Sequence, residues 1–538
     1  MTNGNVIEYT PLDQIPKIVE DLRASFATGI TRNVEFRKQQ LMKLFDMIND
    51  NKEILADCLK ADLNMTKGEA YASNIEPAMY EIGYMLENMD QWLKPTYPSL
   101  AHQPSYMGGD ICIQKVPQGV VFLISPWNYP VRLTLIPLIG AIASGNVALV
   151  KQSELSVNTT SVISRLLKEY MDERVVRIVN GGAEETTVLL DQRADHLFYT
   201  GSGAIGKIVA AAAAKNLCKT TLELGGKCPA AVFGVKSKDS LEVIARRIIW
   251  GKFYNCGQTC VGVDYVLVEK SICDNLVSEL LNAVNEFYGS NPINSPDFGR
   301  IINKRQFSRL VGLLSKSKGT INTYNNDKLV SGTSTELNLN SDFGCDEGNL
   351  FVPPTIVTNV QPGDSLLSGE LFGPILPVVA VDDVQSAIDF INSMDYPLAL
   401  YSFNEDVDQA KLVGECTRSG SFVVNDTMIH TACHSIPFGG FGPSGLGSYF
   451  GLASIETFTH GKSTMIGRLN YPPKNLDSLR FPPYSGSENE WKGVASKAFI
   501  YPTWRSLRSS FISKMLTYIP GWRTFSILPI AVSRLTKK

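Results

Sequence analysis

An α/β architecture built on parallel sheets is the fold class this sequence predicts, and three observations point to it. Short runs that are apolar at nearly every position, such as Gly119–Ile124 (GVVFLI), alternate with helical patterns, as strands covered on both faces do. Strand, helix and strand recur within about thirty residues, the length of a parallel βαβ unit. Gly201, Gly203 and Gly206 fit GxGxxG between a predicted strand and a predicted helix, the setting of a Rossmann-like dinucleotide loop. A chain of 538 residues is too long for one core and implies two or three domains.

Taken in order, residues 15–64 read as amphipathic helices, with helical spacing in IVEDLRASF and FRKQQLMKLFDMI. Ile111–Lys115 and Gly119–Ile124 read as strands, the second ending at a Pro126-Trp127-Asn128 loop. An apolar helix follows from Arg132 to Ala143. The buried strand Asn146–Val150 comes next, and its end exposes Lys151 and Glu154. Val175–Val179 and His196–Tyr199 repeat the pattern before the Gly201 loop and an alanine-rich helix. The N–H groups at that helix start suit a pyrophosphate, and the alternative is a packing turn that needs glycine. Glu223 lies downstream at roughly the spacing of a ribose-binding acid, and Glu154 is its rival for that role.

From Ala230 to about Asn425 a second α/β pattern follows, with strands at Tyr265–Val268 and Ile375–Val379 and one conspicuous loop, Gly369–Pro374. The glycine-rich run Pro437–Gly445 is read as irregular and as the wall of a cleft. The five histidines show no ligand spacing, and Cys256 with Cys260 lacks the second pair a zinc site requires, so no metal is expected.

The chemistry centres on GKFYNCGQTCVGVDY. Gly257-Gln258-Thr259 before Cys260 and small or β-branched residues after it suit a loop that presents a thiol. Glu223, beside the glycines of ELGGK, supplies a carboxylate. Asn128, in a loop pinned by Pro126 and Pro130, supplies an amide donor. Thiol, carboxylate and amide together suggest acyl chemistry. Cys58, Cys218 and Cys273 read as inert, while Cys256 is close enough in sequence to modulate Cys260 or pair with it on oxidation.

These motifs in this order resemble the NAD(P)-dependent aldehyde dehydrogenases, and most the fatty aldehyde (class 3) branch, over roughly residues 20–485. FRKQQL, GQTCVGVDY and the late Arg480–Ser485 (RFPPYS) carry the branch resemblance. The resemblance implies an aldehyde dehydrogenase fold with three parts: a Rossmann-like cofactor domain (1–108 and 118–224), an α/β catalytic domain (225–425), and a β-strand oligomerisation arm with cleft wall (109–117 and 426–485). Cys260 matches the nucleophile, Asn128 the oxyanion amide and Glu223 the general base. Lys151 and Glu154 match adenosine-ribose ligands, and Gly201 and Gly206 the pyrophosphate loop. Glu370 and Phe372 match contacts to the nicotinamide half, with Glu370 a second candidate for the base, and Asn425 a residue lining the cleft.

Gln152, Gly203 and Gly369 depart from the family pattern, which usually has Pro, often Thr, and commonly an acid there. The implied reaction oxidises medium- to long-chain and aromatic aldehydes to acids through a thiohemiacetal and a thioester. NAD is the implied cofactor, with NADP as the alternative, since Glu154 would repel a 2′-phosphate. A homodimer is implied too. The rival reaction class is a CoA-acylating dehydrogenase.

After Ser485 the composition changes. Residues 491–538 hold nine Lys or Arg and no Asp or Glu, against a net charge of −3 for the whole chain, so the body is more acidic than the total shows. That body argues against nucleic acid as a partner. Aromatics from Trp491 to Phe525 interleave with the basic residues of this tail, which fits an interfacial anchor to a membrane. A span is opposed by Arg523, Pro520, Gly521 and Pro529 within Met515–Ser533, because arginine at a bilayer centre costs roughly 2.5–3.5 kcal/mol. The start MTNGNVIEYTPLDQ has neither a basic nor an apolar leader region, and ten cysteines in a chain of this length fit reduced thiols. The expected location is therefore not secreted, on the cytosolic face of the endoplasmic reticulum or mitochondrial outer membrane.

Overall fold

The computed structural model describes residues 6–98 and 109–467. The tail and the Arg480–Ser485 run lie outside the described residues.

Helices α1 (Gln14–Ala27), α2 (Val34–Asp50) and α3 (Lys52–Leu63) form where apolar spacing predicts them. Asn33 starts α2 by accepting the N–H groups of Glu35 (2.8 Å) and Phe36, and Asn64 ends α3 in the left-handed region. Helix α4 (Lys67–Ala70) passes through a π-turn into α5 (Glu76–Trp92).

The first sheet is assembled from β2 (Val120–Ile124), α6 (Arg132–Ala143), β3 (Val147–Lys151), α7 (Val157–Tyr170), β4 (Val176–Ile178), α8 (Ala183–Leu190), β5 (His196–Thr200), α9 (Gly203–Lys215) and β6 (Lys219–Glu223). Its five strands run parallel in the order β6-β5-β2-β3-β4. Every residue of β2, β3 and β5 is buried, as apolar runs between two helical layers require. The chain moves outward from β2 through β3 to β4, then returns to β5 on the other side of β2. The crevice of a doubly wound fold therefore opens at the carboxyl ends of β2 and β5.

The second sheet takes the order β10-β9-β11-β12-β8-β7-β13-β14. It uses β7 (Pro229–Val232), β8 (Tyr265–Glu269), β9 (Thr320–Asn325), β10 (Lys328–Gly332), β11 (Thr355–Thr358), β12 (Ile375–Val381), β13 (Ala399–Phe403) and β14 (Ser421–Val424). Six of these run parallel, and β9 and β10 form an antiparallel edge. Helices α10 (Lys238–Phe253), α11 (Cys273–Tyr288), α12 (Lys304–Leu314), α13 (Val384–Asn392) and α14 (Val407–Glu415) belong to this half.

One expectation needs correction. The Pro437–Gly445 run is not irregular to its end, because β15 (Gly445–Leu446) joins the edge of the first sheet antiparallel to β6, with Gly445 opposite Glu223. A side chain at Gly445 would meet the Leu222 carbonyl at 2.3 Å, so only glycine lets this strand close on β6. Helix α15 (Gly451–Thr457) follows.

The chain divides into two units. The larger holds both sheets and comprises the chain up to Lys94 with Lys115–Gly461. The smaller takes Pro95–Gln114 and the chain from Lys462. In the smaller unit Thr96 and Ile113 form an antiparallel bridge, and Ile113, Met465 and Ile466 are exposed. Strands β1 (Gly109–Pro117) and β16 (Thr459–Gly467) pair as a two-stranded sheet.

A buried ion cluster ties the ELGGK segment, α10 and the Glu370 loop together. The Asp264 carboxylate lies 2.6 Å from Lys227 and 3.4 Å from Lys252, and both its oxygens accept the Leu371 N–H at 3.2 Å. All three ionic side chains are 5% exposed or less. Removing one partner of a buried pair leaves charge without compensation and costs about 3–5 kcal/mol. Asp264→Asn is therefore expected to lose stability of that order in guanidinium denaturation. An unchanged midpoint would show that the cluster does not hold these segments.

Candidate active site

The carboxyl ends of the first sheet deliver most of the predicted residues. Asn128 lies in the loop after β2, Lys151 ends β3, Gly201 follows β5 and Glu223 ends β6. The ELGGK segment then crosses from β6 to β7, and Cys260 lies in the loop between α10 and β8. The thiol thus stands where the carboxyl edge of one sheet faces the start of the other.

Cys260 and Glu223 line one cavity of about 240 Å³. Its walls include Leu133, Trp250, Tyr254, Met428, Ile429, Phe438 and Phe450. Asn128 is buried; its amide nitrogen donates to the Gln258 carbonyl (3.0 Å) and its own carbonyl accepts from the Asn255 amide (2.9 Å). This bracing ties Asn128 to the cysteine loop and leaves its amide a second N–H to give.

Burial dominates the electrostatics. The Cys260 thiol is pushed up to about 12 by loss of solvent and then by the Glu370 and Glu223 charges, while the N–H groups of Cys260 and Val261 pull it back. Glu223 is buried with neither carboxyl oxygen hydrogen-bonded, and burial raises its pKa well above the usual carboxylate range. Glu370 is raised to about 8 by burial and then by Asp264, and one of its oxygens is likewise buried without a partner. A side chain at Gly225 would meet both Glu370 oxygens at 2.3 Å, so glycine in ELGGK makes the space for this acid. Next to it, Phe372 takes a left-handed conformation and sets its ring against Trp127 at 5.3 Å, edge to face.

On the cofactor side two readings change. Lys151 is not exposed: its side chain is 6% accessible and bonds Glu154 at 3.2 Å, leaving Glu154 the more open of the pair. Gly201 donates its N–H to the Glu223 carbonyl (3.0 Å), so it has none to offer a pyrophosphate. A side chain there would meet the Tyr199 hydroxyl, and one at Gly206 would meet Leu224, so both glycines serve close packing. The donors that remain are the first-turn N–H groups of α9, whose N-cap Ser202 makes no side-chain cap bond. Open donors at that helix start, the Lys151–Glu154 pair and the unpartnered Glu370 oxygen fit a dinucleotide.

One further expectation fails. Asn425 does not line the cavity; its amide closes on the Asn404 N–H (2.9 Å) and carbonyl (3.0 Å), and Met428 and Ile429 take the wall. Cys256 is buried against Gly299, and Cys228 also reaches the Cys260 loop, donating to the Cys260 carbonyl at 3.4 Å. Gln152 has a local account, since it is buried and donates to Ser164 (3.2 Å), bracing β3 on α7. A side chain at Gly203 or Gly369 would meet nothing within 4 Å, so sterics explain neither departure.

Sequence reasoning missed Asp264, Thr200 and Arg132. Thr200 lines the cavity with its hydroxyl buried and unpartnered, opposite Glu223 in register. Arg132 was visible as the one charge in the apolar helix RLTLIPLIGAIA.

A family model described as aldehyde dehydrogenase family matches residues 6–464. The chain belongs to the aldehyde dehydrogenase family. It is 41% identical over 476 residues to aldehyde dehydrogenase family 3 member A2 of Macaca fascicularis, covering 88% of this chain and 92% of that one. It is 39% identical to the dimeric NADP-preferring aldehyde dehydrogenase of Canis lupus familiaris, covering 88% and 98%. A solved structure of Staphylococcus aureus AldH in its substrate-bound state superposes with a TM-score of 0.81 at 36% identity, covering 89% and 99%. As a member of the family this enzyme oxidises aldehydes with a nicotinamide cofactor, NAD or alternatively NADP.

A buried acid with a raised pKa stabilises the fold while protonated, below an unfolded-state value of about 4.3, and that contribution is lost as pH rises through the folded-state value. Glu223→Gln cannot titrate. Its melting temperature is expected to fall less than the wild-type value between pH 6 and 9, and identical slopes in a thermal-shift series would contradict the assignment of Glu223 as a buried, unpaired acid.

Proposed function

We propose that the enzyme oxidises lipid-derived, medium- to long-chain aldehydes to carboxylic acids with NAD, taking aromatic aldehydes as well. The observation that carries this reading is one apolar, aromatic-walled cavity holding a thiol and an unpartnered carboxylate. An alkyl chain gains from burial there at about 0.8 kcal/mol per methylene. The 39–43% identity to family 3 relatives points the same way.

Cys260 attacks the aldehyde carbonyl as a thiolate, after passing its proton to a neighbouring carboxylate. Asn128, through its free amide N–H, and the Cys260 backbone N–H hold the resulting oxyanion. NAD, when bound, would supply the hydride acceptor. Lys151 and Glu154 would hold its adenosine ribose, the α9 start its pyrophosphate, and Glu370 with Phe372 its nicotinamide half. Gly201 and Gly206 contribute by packing that loop. Cys260 then carries the acyl group as a thioester, and Glu223 takes the proton of the water that hydrolyses it. Glu223 is preferred to Glu370 because it lines the cavity with Cys260.

Residues 1–108 and 118–224 serve as the cofactor domain and 225–425 as the catalytic domain in this scheme. The homodimer forms through β1 and the strands after Asn425, supported by the dimeric Canis relative and by exposed Ile113, Met465 and Ile466. The basic aromatic tail holds the enzyme at the cytosolic face of the endoplasmic reticulum or outer mitochondrial membrane. Among the described residues no helix is long and apolar enough to cross a membrane.

Wild-type enzyme is expected to reduce NAD with hexadecanal faster than with a short aliphatic aldehyde, and without added CoA. Strict CoA dependence would replace hydrolysis by acyl transfer. In the same assay Glu223→Gln should give a burst of about one NADH per subunit and then slow at least a hundredfold with the thioester retained; normal turnover removes Glu223 from the scheme. Deleting residues 491–538 should move the enzyme from the membrane pellet to the soluble fraction, and persistence in the pellet excludes the tail as anchor.

A further inference from the structure

Among the described residues, Arg132 is the one cationic residue lining the cavity that holds Cys260 and Glu223. It stands at the first position of α6, where the helix dipole disfavours positive charge, and the rest of that helix is apolar or uncharged. One guanidinium nitrogen donates to the Thr431 carbonyl, and the group lies 5.6 Å over the Phe450 ring. These contacts aim the fork and leave it without a counter-charge. None of the ion pairs among the described residues includes Arg132. Its Nε is buried and makes no hydrogen bond. The ionisable groups that act on it are Tyr449, Tyr129, Cys260 and Tyr254. His430 also feels its charge, and both His430 ring nitrogens are buried without a partner.

A partly buried guanidinium with an idle, buried Nε donor is costly, because the unmade bond and the unpaired charge both count against folding. A planar five-donor fork pairs with the two oxygens of a carboxylate bidentately, and a carboxylate is the group that aldehyde oxidation creates in this cavity. Apart from Glu223 and a few hydroxyl groups the lining is apolar, and Ile429 and Trp250 of that lining are exposed, so an anion reaching Arg132 arrives on an organic ligand rather than as a hydrated ion.

We propose that Arg132 is a carboxylate-binding residue of the substrate cavity. This rests on the aldehyde-oxidising reading of the cavity and extends it. The carboxylate has two sources. It is either the far end of an ω-oxo acid, an aldehyde that already carries a second acid, or the carboxylate that oxidation creates at Cys260.

The test compares octanal with 8-oxooctanoate, and measures product inhibition by octanoate, in wild type, Arg132→Lys and Arg132→Met, with melting temperatures to confirm folding. If the distal acid is the ligand, the ratio of kcat/KM for 8-oxooctanoate over octanal falls at least tenfold in Arg132→Met and recovers in part in Arg132→Lys. If the product acid is the ligand, that ratio holds and the octanoate inhibition constant rises at least tenfold. Ratio and inhibition constant both within twofold of wild type, in folded protein, overturn the proposal. A wild-type enzyme that oxidises neither aldehyde would instead overturn the aldehyde reading on which it rests.

Discussion

A single buried carboxylate sets the positions of the chemical groups. Asp264 accepts from Lys227, Lys252 and the Leu371 N–H, which belong to the crossing between the sheets, to α10 and to the loop bearing Glu370. Taking three ionic groups out of water is tolerable only when their hydrogen bonds are made, and here Lys227 also reaches the Leu366 carbonyl at 2.9 Å. Because Cys260 precedes Asp264 by one short loop, and only Leu224 and a glycine pair separate Glu223 from Lys227, the cluster holds the cavity's thiol and carboxylate from behind. Asp264 also tunes Glu370: after burial, its negative charge is the largest influence on that acid and raises it, against smaller lowering contributions from the Gly226 N–H, Lys227 and Arg309. One residue is therefore both bracket and electrostatic adjustment.

The cavity itself runs against the rules that make the rest of the interior stable. Glu223, Glu370, Thr200 and Arg132 each present a buried polar atom with no hydrogen-bond partner, whereas most buried polar groups in folded proteins are satisfied. Three of the four line the cavity. This is the pattern of a site complementary to something it binds, and its cost is offset by elements buried along their length: every residue of β2, β3 and β5, and α6 from Leu133 on.

Much of this was legible in the sequence for a physical reason. Runs apolar at every position mark buried parallel strands, so the strand that leads into the Asn128 loop and the one that ends at Lys151 could be placed, whereas β6 (KTTLE), which ends at Glu223, has no such run. Cys260 was legible because a glycine-rich approach to a cysteine is unusual outside a site. What stayed hidden depended on contacts distant along the chain. Gly201 and Gly206 match a phosphate pattern, yet the features that decide their role are Tyr199, Leu224 and a hydrogen bond to Glu223. Asn425 lies near the cavity in sequence order, but the Asn404 backbone engages its amide. Asp264 reads as one more acid until its two lysines meet it.

The loop presenting Cys260 shows how such a site is kept from relaxing. Asn255 and Cys256 hold left-handed conformations (φ 50° and 54°), each an expense of order 1–3 kcal/mol for a residue with a side chain. The strain persists because its neighbours allow nothing else. The Asn255 N–H is fixed by the buried Glu69 carboxylate at 2.7 Å, and its amide bonds the carbonyls of Asn128 and Gln258. Gly257 then passes so close to the Gly373 carbonyl that a side chain would approach it to 2.3 Å. Burial raises Glu69 to about 7, so the grip on Asn255 is tightest when that acid is ionised. The strained turn, the acid that holds it and Asn128 thus form one hydrogen-bonded unit, and the thiol's position follows from that unit rather than from the strand that comes after it.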